Sequence, residues 1–197
     1  MFFTFMEQQK IVIITAPSGA GKTSITRFLL ESFPVLAFSI SATTRAPRSM
    51  EKDGVEYYFL SEKNFLQRIS DDAFMEWEMV YPGKYYGTLK SEMTRLWSDG
   101  RVPVLDIDVK GAQRIIKQYP GQCLSIFITA PSIEILETRL RNRGTESEET
   151  IAIRMNKASY ELTFQHAFDT IIVNDDLAIA CEEAALKVRT FLGQKTF

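Results

Sequence analysis

The segment that most restricts the fold lies near the start of the chain. Four β-branched apolar residues, Ile11 to Ile14, run into Ala16-Pro17-Ser18-Gly19-Ala20-Gly21-Lys22-Thr23, and apolar residues then recur at Ile25, Phe28 and Leu29. The first run predicts a strand buried on both faces, and the later spacing predicts a helix over residues 22–32. Strand, glycine-rich turn and helix, in that order, open a parallel α/β fold. The turn fits the phosphate-binding P-loop pattern, except that Ala16 stands where the pattern has its first glycine. Successive main-chain N–H groups and the positive end of the helix dipole would cradle a phosphate, and Ser24 continues that turn. Gly19 and Gly21 let the backbone approach without a Cβ. Lys22 has the reach for the outer phosphates, and the Thr23 hydroxyl suits Mg²⁺. Ala16 costs little if its φ is negative and is strained if its φ is positive.

Further runs at 35–40, 102–107, 124–129 and 170–173 predict four more strands, with helical patterns at 109–118, 132–141 and 177–192. The fold class expected is α/β, a doubly wound parallel five-stranded sheet of the P-loop NTPase type. Two stretches break the alternation. Residues 42–88 are rich in aromatics, charges and turn formers, which predicts a mainly β insertion with one helix near 62–69. Residues 132–165 are charged and helical, with Gly144 stopping one helix and Thr145 or Ser147 capping the next. The remaining segments, 10–41, 89–131 and 166–197, form the expected core.

The net charge of −2 gives no global attraction to nucleic acid or to an anionic membrane, so arginine clusters are local features. Cys123 and Cys181 each lie in apolar runs, as buried reduced thiols of a cytoplasmic protein would. The one histidine, His166, has no second histidine near it to build a metal site. Residues 1–5 are apolar but lack a basic flank, so their pattern is not that of a signal peptide. No stretch has the length of a membrane span. The expected partners are small molecules, and the expected state is a monomer or small homo-oligomer.

The P-loop does not name an acceptor. Asn156-Lys157-Ala158-Ser159 is a near miss of a guanine-reading GTPase motif inside a helical pattern, and is read as coincidence. Ser39-Ile-Ser-Ala-Thr-Thr-Arg45-Ala-Pro-Arg48 places two guanidinium groups on a loop stiffened by proline, which suits a doubly charged phosphate. Beyond it lie Gly54-Val-Glu-Tyr57-Tyr-Phe, Phe74-Met-Glu76-Trp and Tyr85-Tyr86-Gly-Thr88. Asp106 ends an apolar strand beside the P-loop strand, a position suited to Mg²⁺ and its waters. Asp108 is placed to face the same way or to cap the following helix, and the cap does not exclude a role in the site.

Together with Leu-Asp106-Ile-Asp108-Val-Lys-Gly111, Arg143-Gly-Thr-Glu and Val-Asn174-Asp-Asp, these motifs resemble those of guanylate kinases over about residues 11–188. The resemblance implies transfer of the γ-phosphoryl group of ATP to GMP or dGMP, with Mg²⁺. It implies that Ser39, Arg45, Arg48, Tyr57 and Tyr86 hold the acceptor phosphate. Glu76 and Thr88 would read the base, with Asp106 and Asp108 completing that pocket. On the donor side it implies that residues 16–24, Arg139, Arg143 and Asn174 bind ATP, with Thr23 and Asp106 at the metal. Lys22, Arg45, Arg143 and Arg154 would act on the transferred group, inside a lid over 132–165. Guanylate-kinase-like domains that only bind proteins, kinases for another acceptor and P-loop switches are the alternatives.

Overall fold

The computed structural model of the chain describes residues 9–142, 144 and 147–194. Its central sheet is parallel. Strand β1 (Ile11–Thr15) lies between β7 (Val102–Asp106) and β8 (Cys123–Thr129), with β2 (Leu36–Phe38) and β9 (Thr170–Val173) on the two edges. Every residue of β1 is buried. Because side chains alternate across a strand, Ile11 and Ile13 enter one core with Met93, Leu105, Ile115 and Phe127. Val12 and Ile14 enter the other, with Ile25, Leu29, Ile126 and Ile172. Full burial of side chains this size is worth about 1.5–3 kcal/mol each. The β-branched run therefore anchors the turn that follows it.

Helices α1 (Lys22–Ser32) and α7 (Leu177–Leu192) cover the second face; α3 (Lys90–Ser98) and α4 (Val109–Gln118) cover the first. The bounds of α1, α4 and α7 agree with the sequence reading, and the five-stranded parallel sheet is the expected one. Strand β2 is shorter than expected. Helix α3, which places Met93 and Leu96 in the core, was not anticipated.

The segment between β2 and α3 forms a second sheet, ordered β4 (Tyr58–Phe59), β3 (Ala42–Thr43), β6 (Lys84–Leu89), β5 (Phe74–Tyr81). Helix α2 (Glu62–Ser70) inserts Phe65 beneath it, stacked on Phe74 at 4.4 Å between ring centroids. Strands β3 and β4 have two residues each, too short for any periodicity to reveal. This sheet is tied to the core by Glu92 of α3. Its buried carboxylate accepts from Ile40 N (3.1 Å), Tyr58 OH (2.9 Å) and Arg95 (2.9 and 3.0 Å). Burial alone would raise its pKa, but those donors leave it below the usual carboxylate value.

Helices α5 (Ile133–Arg141) and α6 (Glu148–Leu162) form the charged helical segment. Ser132 caps α5 and Ser147 caps α6, each accepting from the N–H three residues on, and Gly144 has a φ of 65°. The alternative cap, Thr145, lies outside the described residues. Both thiols are free, and burial pushes that of Cys123 up to about 12. No described helix is long and apolar enough to cross a membrane.

Candidate active site

The phosphate-binding turn is built by what lies beneath it. Asp72 is the sole non-glycine residue with positive φ among the described residues, so Ala16 follows β1 without strain. Gly19 and Gly21 have φ of 92° and 93° and need glycine. A Cβ on Gly19 would come within 3.3 Å of the Leu136 carbonyl oxygen and of Leu140, and one on Gly21 would meet the Asn174 amide. The resemblance implies that Asn174 binds ATP. It is buried instead behind the turn, donating from Nδ2 to the Ala20 carbonyl at 2.7 Å while its N–H bonds Thr129 O at 2.7 Å. It braces the P-loop from edge strand β9 and does not face the cleft.

Gly21 caps α1 without a side chain to bond the first-turn N–H groups, which leaves that end suited to an anion. Lys22 is ion-paired to Asp106. The sheet register explains the meeting, since Ile14 of β1 lies opposite Asp106 at the end of β7. Thr23 is exposed nearby, and Thr15 Oγ1 donates to the Ile107 carbonyl at 3.0 Å, holding the segment after β7 against the turn.

These groups form one wall of a cleft of about 940 Å³, lined also by Ser18, Ser24, Asp106 and Asp108. Arg48, Tyr57, Tyr86 and Glu76 line the opposite wall. Arg45 lies just behind them over the Tyr57 ring at 5.2 Å, and donates to both oxygens of Glu51 at 2.7 and 2.8 Å. Glu51 also accepts from the Arg48 N–H at 2.7 Å. Those hydrogen bonds, from Arg45 first and the Arg48 amide second, hold the Glu51 carboxyl down at about 2. The Tyr57 phenol is raised, chiefly by burial.

Ser39 corrects the sequence reading. It is buried with its hydroxyl 3.9 Å from the Met93 sulfur, and does not line the cleft. Two residues on, Ser41 reaches the cleft wall. Helix α3 covers Ser39, and the sequence reading had not anticipated α3.

At the far end, Glu76 of β5 is buried and accepts from Thr88 Oγ1 of β6 at 2.8 Å, the two residues being cross-strand partners. Burial pushes the Glu76 carboxyl up to about 7, with nearby Asp108 adding to the rise and Thr88 opposing it. Thr88 is fully buried, and its proton is committed to Glu76. In this arrangement the Thr88 hydroxyl orients the carboxylate. Asp108 settles the open alternative as the cap of α4: its Oδ1 accepts from Lys110 N (2.9 Å) and Gly111 N (2.8 Å) while the residue still lines the cleft.

From the helical segment, Arg154 of α6 reaches the P-loop and donates to Ser18 Oγ at 2.7 Å. Arg139 makes a long contact to the Asp175 carbonyl, 3.5 Å, and Arg143 lies outside the described residues. Two lining groups on α6 escaped the sequence reading. Lys157 belongs to the near-miss motif, and Glu161 is a buried carboxylate 3.7 Å from the Lys157 ammonium, its pKa raised by burial. Their spacing of four residues was the available signal. Glu51 had none beyond an acid following two arginines.

The sequence model of the guanylate kinase family matches residues 8–193. The chain is 49% identical to the guanylate kinase of Porphyromonas gingivalis, over 94% of this chain and 99% of that one. It is 45% identical to that of Salinibacter ruber, over 95% and 100%. Among solved structures, guanylate kinase from Anaplasma phagocytophilum superimposes with a TM-score of 0.72 at 29% identity, covering 92% of this chain and 85% of that one.

Proposed function

The chain belongs to the guanylate kinase family and is an enzyme that moves the γ-phosphoryl group of ATP to GMP; we propose how its own residues divide that work. The observation that carries the assignment is a cleft with a main-chain phosphate cradle on one wall and Arg48, backed by Arg45, with a buried carboxylate on the other. Three parts would cooperate: a core of 10–41, 89–131 and 166–197, an acceptor-binding insertion of 42–88, and a lid of 132–165.

On the donor side, residues 16–24 would wrap the β-phosphate, and Lys22 would leave Asp106 for the outer phosphates. Thr23 and Asp106 supply hard oxygen donors beside open space, a set that fits Mg²⁺ with its remaining positions filled by water and phosphate. When bound, the ion offsets the charge shared by the β- and γ-phosphates. On the acceptor side, Arg48, Tyr57 and Tyr86 would hold the GMP phosphate, with Arg45 completing the cationic floor. Ser41 takes the place first given to Ser39. Glu76 would accept from guanine N1–H and the exocyclic amine, and adenine has neither donor in that arrangement.

Transfer is direct and in line. The GMP phosphate is already anionic near neutral pH, so no general base is needed, and positioning with charge neutralisation carries the step. Arg154, with Arg143 from the same segment, would neutralise the moving group. Lid closure over both substrates would exclude water, which would otherwise take the phosphoryl group. Steady-state ADP release with ATP–Mg²⁺ across a panel of nucleoside monophosphates tests the assignment. Glu76→Gln should raise the KM for GMP by about 100-fold or more and leave that for ATP within about twofold. Equal losses for both substrates would remove Glu76 from base reading.

A further inference from the structure

Gly111 is a glycine without a backbone reason. It is the third residue of α4, its φ is not positive, and alanine is the stronger helix former there. The reason lies across the helix surface. A Cβ on Gly111 would stand 2.6 Å from Glu76 Oε2, 3.1 Å from its Cδ and 3.4 Å from its Cγ, and those are its three nearest atoms. The Glu76 side chain thus lies flat against the bare Cα.

The surroundings hold it there. Thr88 Oγ1 bonds Oε1 from the opposite side at 2.8 Å, and Asp108 fixes the first turn of α4 by capping the Gly111 N–H itself. The same helix grips strand β5 at intervals of four residues. Lys110 Nζ lies 4.0 Å from Glu78 Oε1, Arg114 donates to the Trp77 carbonyl and to Glu78 (3.1 Å), and Gln118 donates to the Met75 carbonyl at 3.1 Å. Glu76 lies between the gripped residues, so strand and helix do not drift relative to one another at this point.

We infer that Gly111 is a specificity-determining positioning residue: its missing side chain creates the slot in which the Glu76 carboxylate lies facing the guanine edge. Helix α4 of the core, and not the insertion alone, then sets the acceptor base. This rests on Glu76 reading guanine, as proposed above. A Cβ at 111 displaces the free end of a side chain and no backbone, so it disturbs recognition before it disturbs folding.

The test uses the full chain with Gly111→Ala, Glu76→Ala and the double variant, measuring KM and kcat for GMP and ATP and the melting temperature of each. Gly111→Ala should raise the KM for GMP about 10–100-fold, leave the KM for ATP within about twofold, and not lower the melting temperature by an amount that follows the loss. Placing Gly111→Ala on Glu76→Ala removes the collision partner, so the double variant should match Glu76→Ala in KM and melt no lower. A single variant that fails to fold while the double variant folds overturns the inference, because the Gly111–Glu76 contact would then serve packing and not recognition. An unchanged KM for GMP in folded Gly111→Ala, or a further loss in the double variant, overturns the inference. Should Glu76→Ala itself leave GMP use intact, the base-reading role fails and takes this inference with it. A harmful Glu76→Ala beside a harmless Gly111→Ala sinks the inference alone.

Discussion

The two anion sites of the cleft are built on opposite principles. The P-loop is continuous in sequence, presents main-chain N–H groups, and hangs from a strand buried on both faces. The acceptor site is discontinuous, presents side chains, and rests on strands as short as two residues. Each holds a cation already paired with a carboxylate, but the partners differ in origin. Asp106 reaches Lys22 through the register of neighbouring central strands, whereas Glu51 reaches Arg45 within one loop, six residues on. A site made of backbone needs a rigid support, and a site made of long side chains needs a resident counter-ion to keep those chains ordered. Arg45 fits the second description, since its two terminal nitrogens are both engaged and its face is covered by Tyr57 and Phe59.

Removing one member of the ion pair at each site separates the two most sharply. Lys22→Met should cut kcat by about 10³-fold or more, because the charge it offsets is greatest in the transition state, while far-ultraviolet circular dichroism stays native. Near-normal turnover would show that the main chain alone neutralises the outer phosphates. In the acceptor site the corresponding weak point is the counter-ion. Glu51→Gln keeps the shape but loses three charge-assisted bonds, so the KM for GMP should rise roughly 10–100-fold with kcat much less affected. An equal fall in kcat would mean that Glu51 shapes the transition state and not the acceptor's resting place.

Acidity provides a third probe, and it acts on the acceptor wall through Glu76. Burial holds the Glu76 carboxyl near 7 in the free enzyme, against an ordinary value of 4.5. Guanine donates to the ionised form, so the KM for GMP should rise as pH falls from 8 to 6, approaching about tenfold per unit below the pKa. The phosphate of GMP also titrates in this range, and Glu76→Gln isolates its share. If the variant keeps the whole pH dependence, the carboxylate contributes nothing to it. For folding the sign is opposite to that of a salt-bridged acid. The native state favours protonated Glu76, so this group's contribution to stability is complete below the unfolded value near 4.5 and is lost as pH rises through about 7.

The same contrast governs what the sequence disclosed. Ile11–Ile14, Gly19, Gly21 and Lys22 form a contiguous signal, and both the parallel sheet and the cradle follow from it. Arg45 and Arg48 were legible because proline and charge sit together, but Glu51 was not, since nothing local distinguishes it from a solvated acid. Ser39 and Ser41 lie two residues apart in the connection between β2 and β3, and helix α3, with Met93 against Ser39, decides between them. Asn174 was read as a cleft residue because its neighbours resemble a nucleotide-contacting segment. Its burial beneath Ala20 depends on β9 pairing with β8, a contact far apart in the chain. Gly111 had no local meaning at all, because the atom it makes room for is 35 residues away in sequence.

The smallest expected effect tests how far the cradle depends on glycine. If every glycine of a P-loop were required by backbone conformation, Ala16 would be a defect and Ala16→Gly would tighten ATP binding. The structure argues the reverse. Ala16 has an unstrained φ, is mostly buried at the end of β1, and packs in the same core as Val12 and Ile14. Glycine there would add freedom to the unfolded chain and remove a packed methyl group, lowering stability by about 0.5–1 kcal/mol. The N–H groups that face the phosphate come from residues past Pro17, so the KM for ATP should stay within about twofold. A thermal melt and an ATP titration decide the matter together. A gain in ATP affinity with unchanged stability would mean that the turn is held open by the alanine methyl. The backbone-built site would then depend on a side chain after all, as its counterpart across the cleft does.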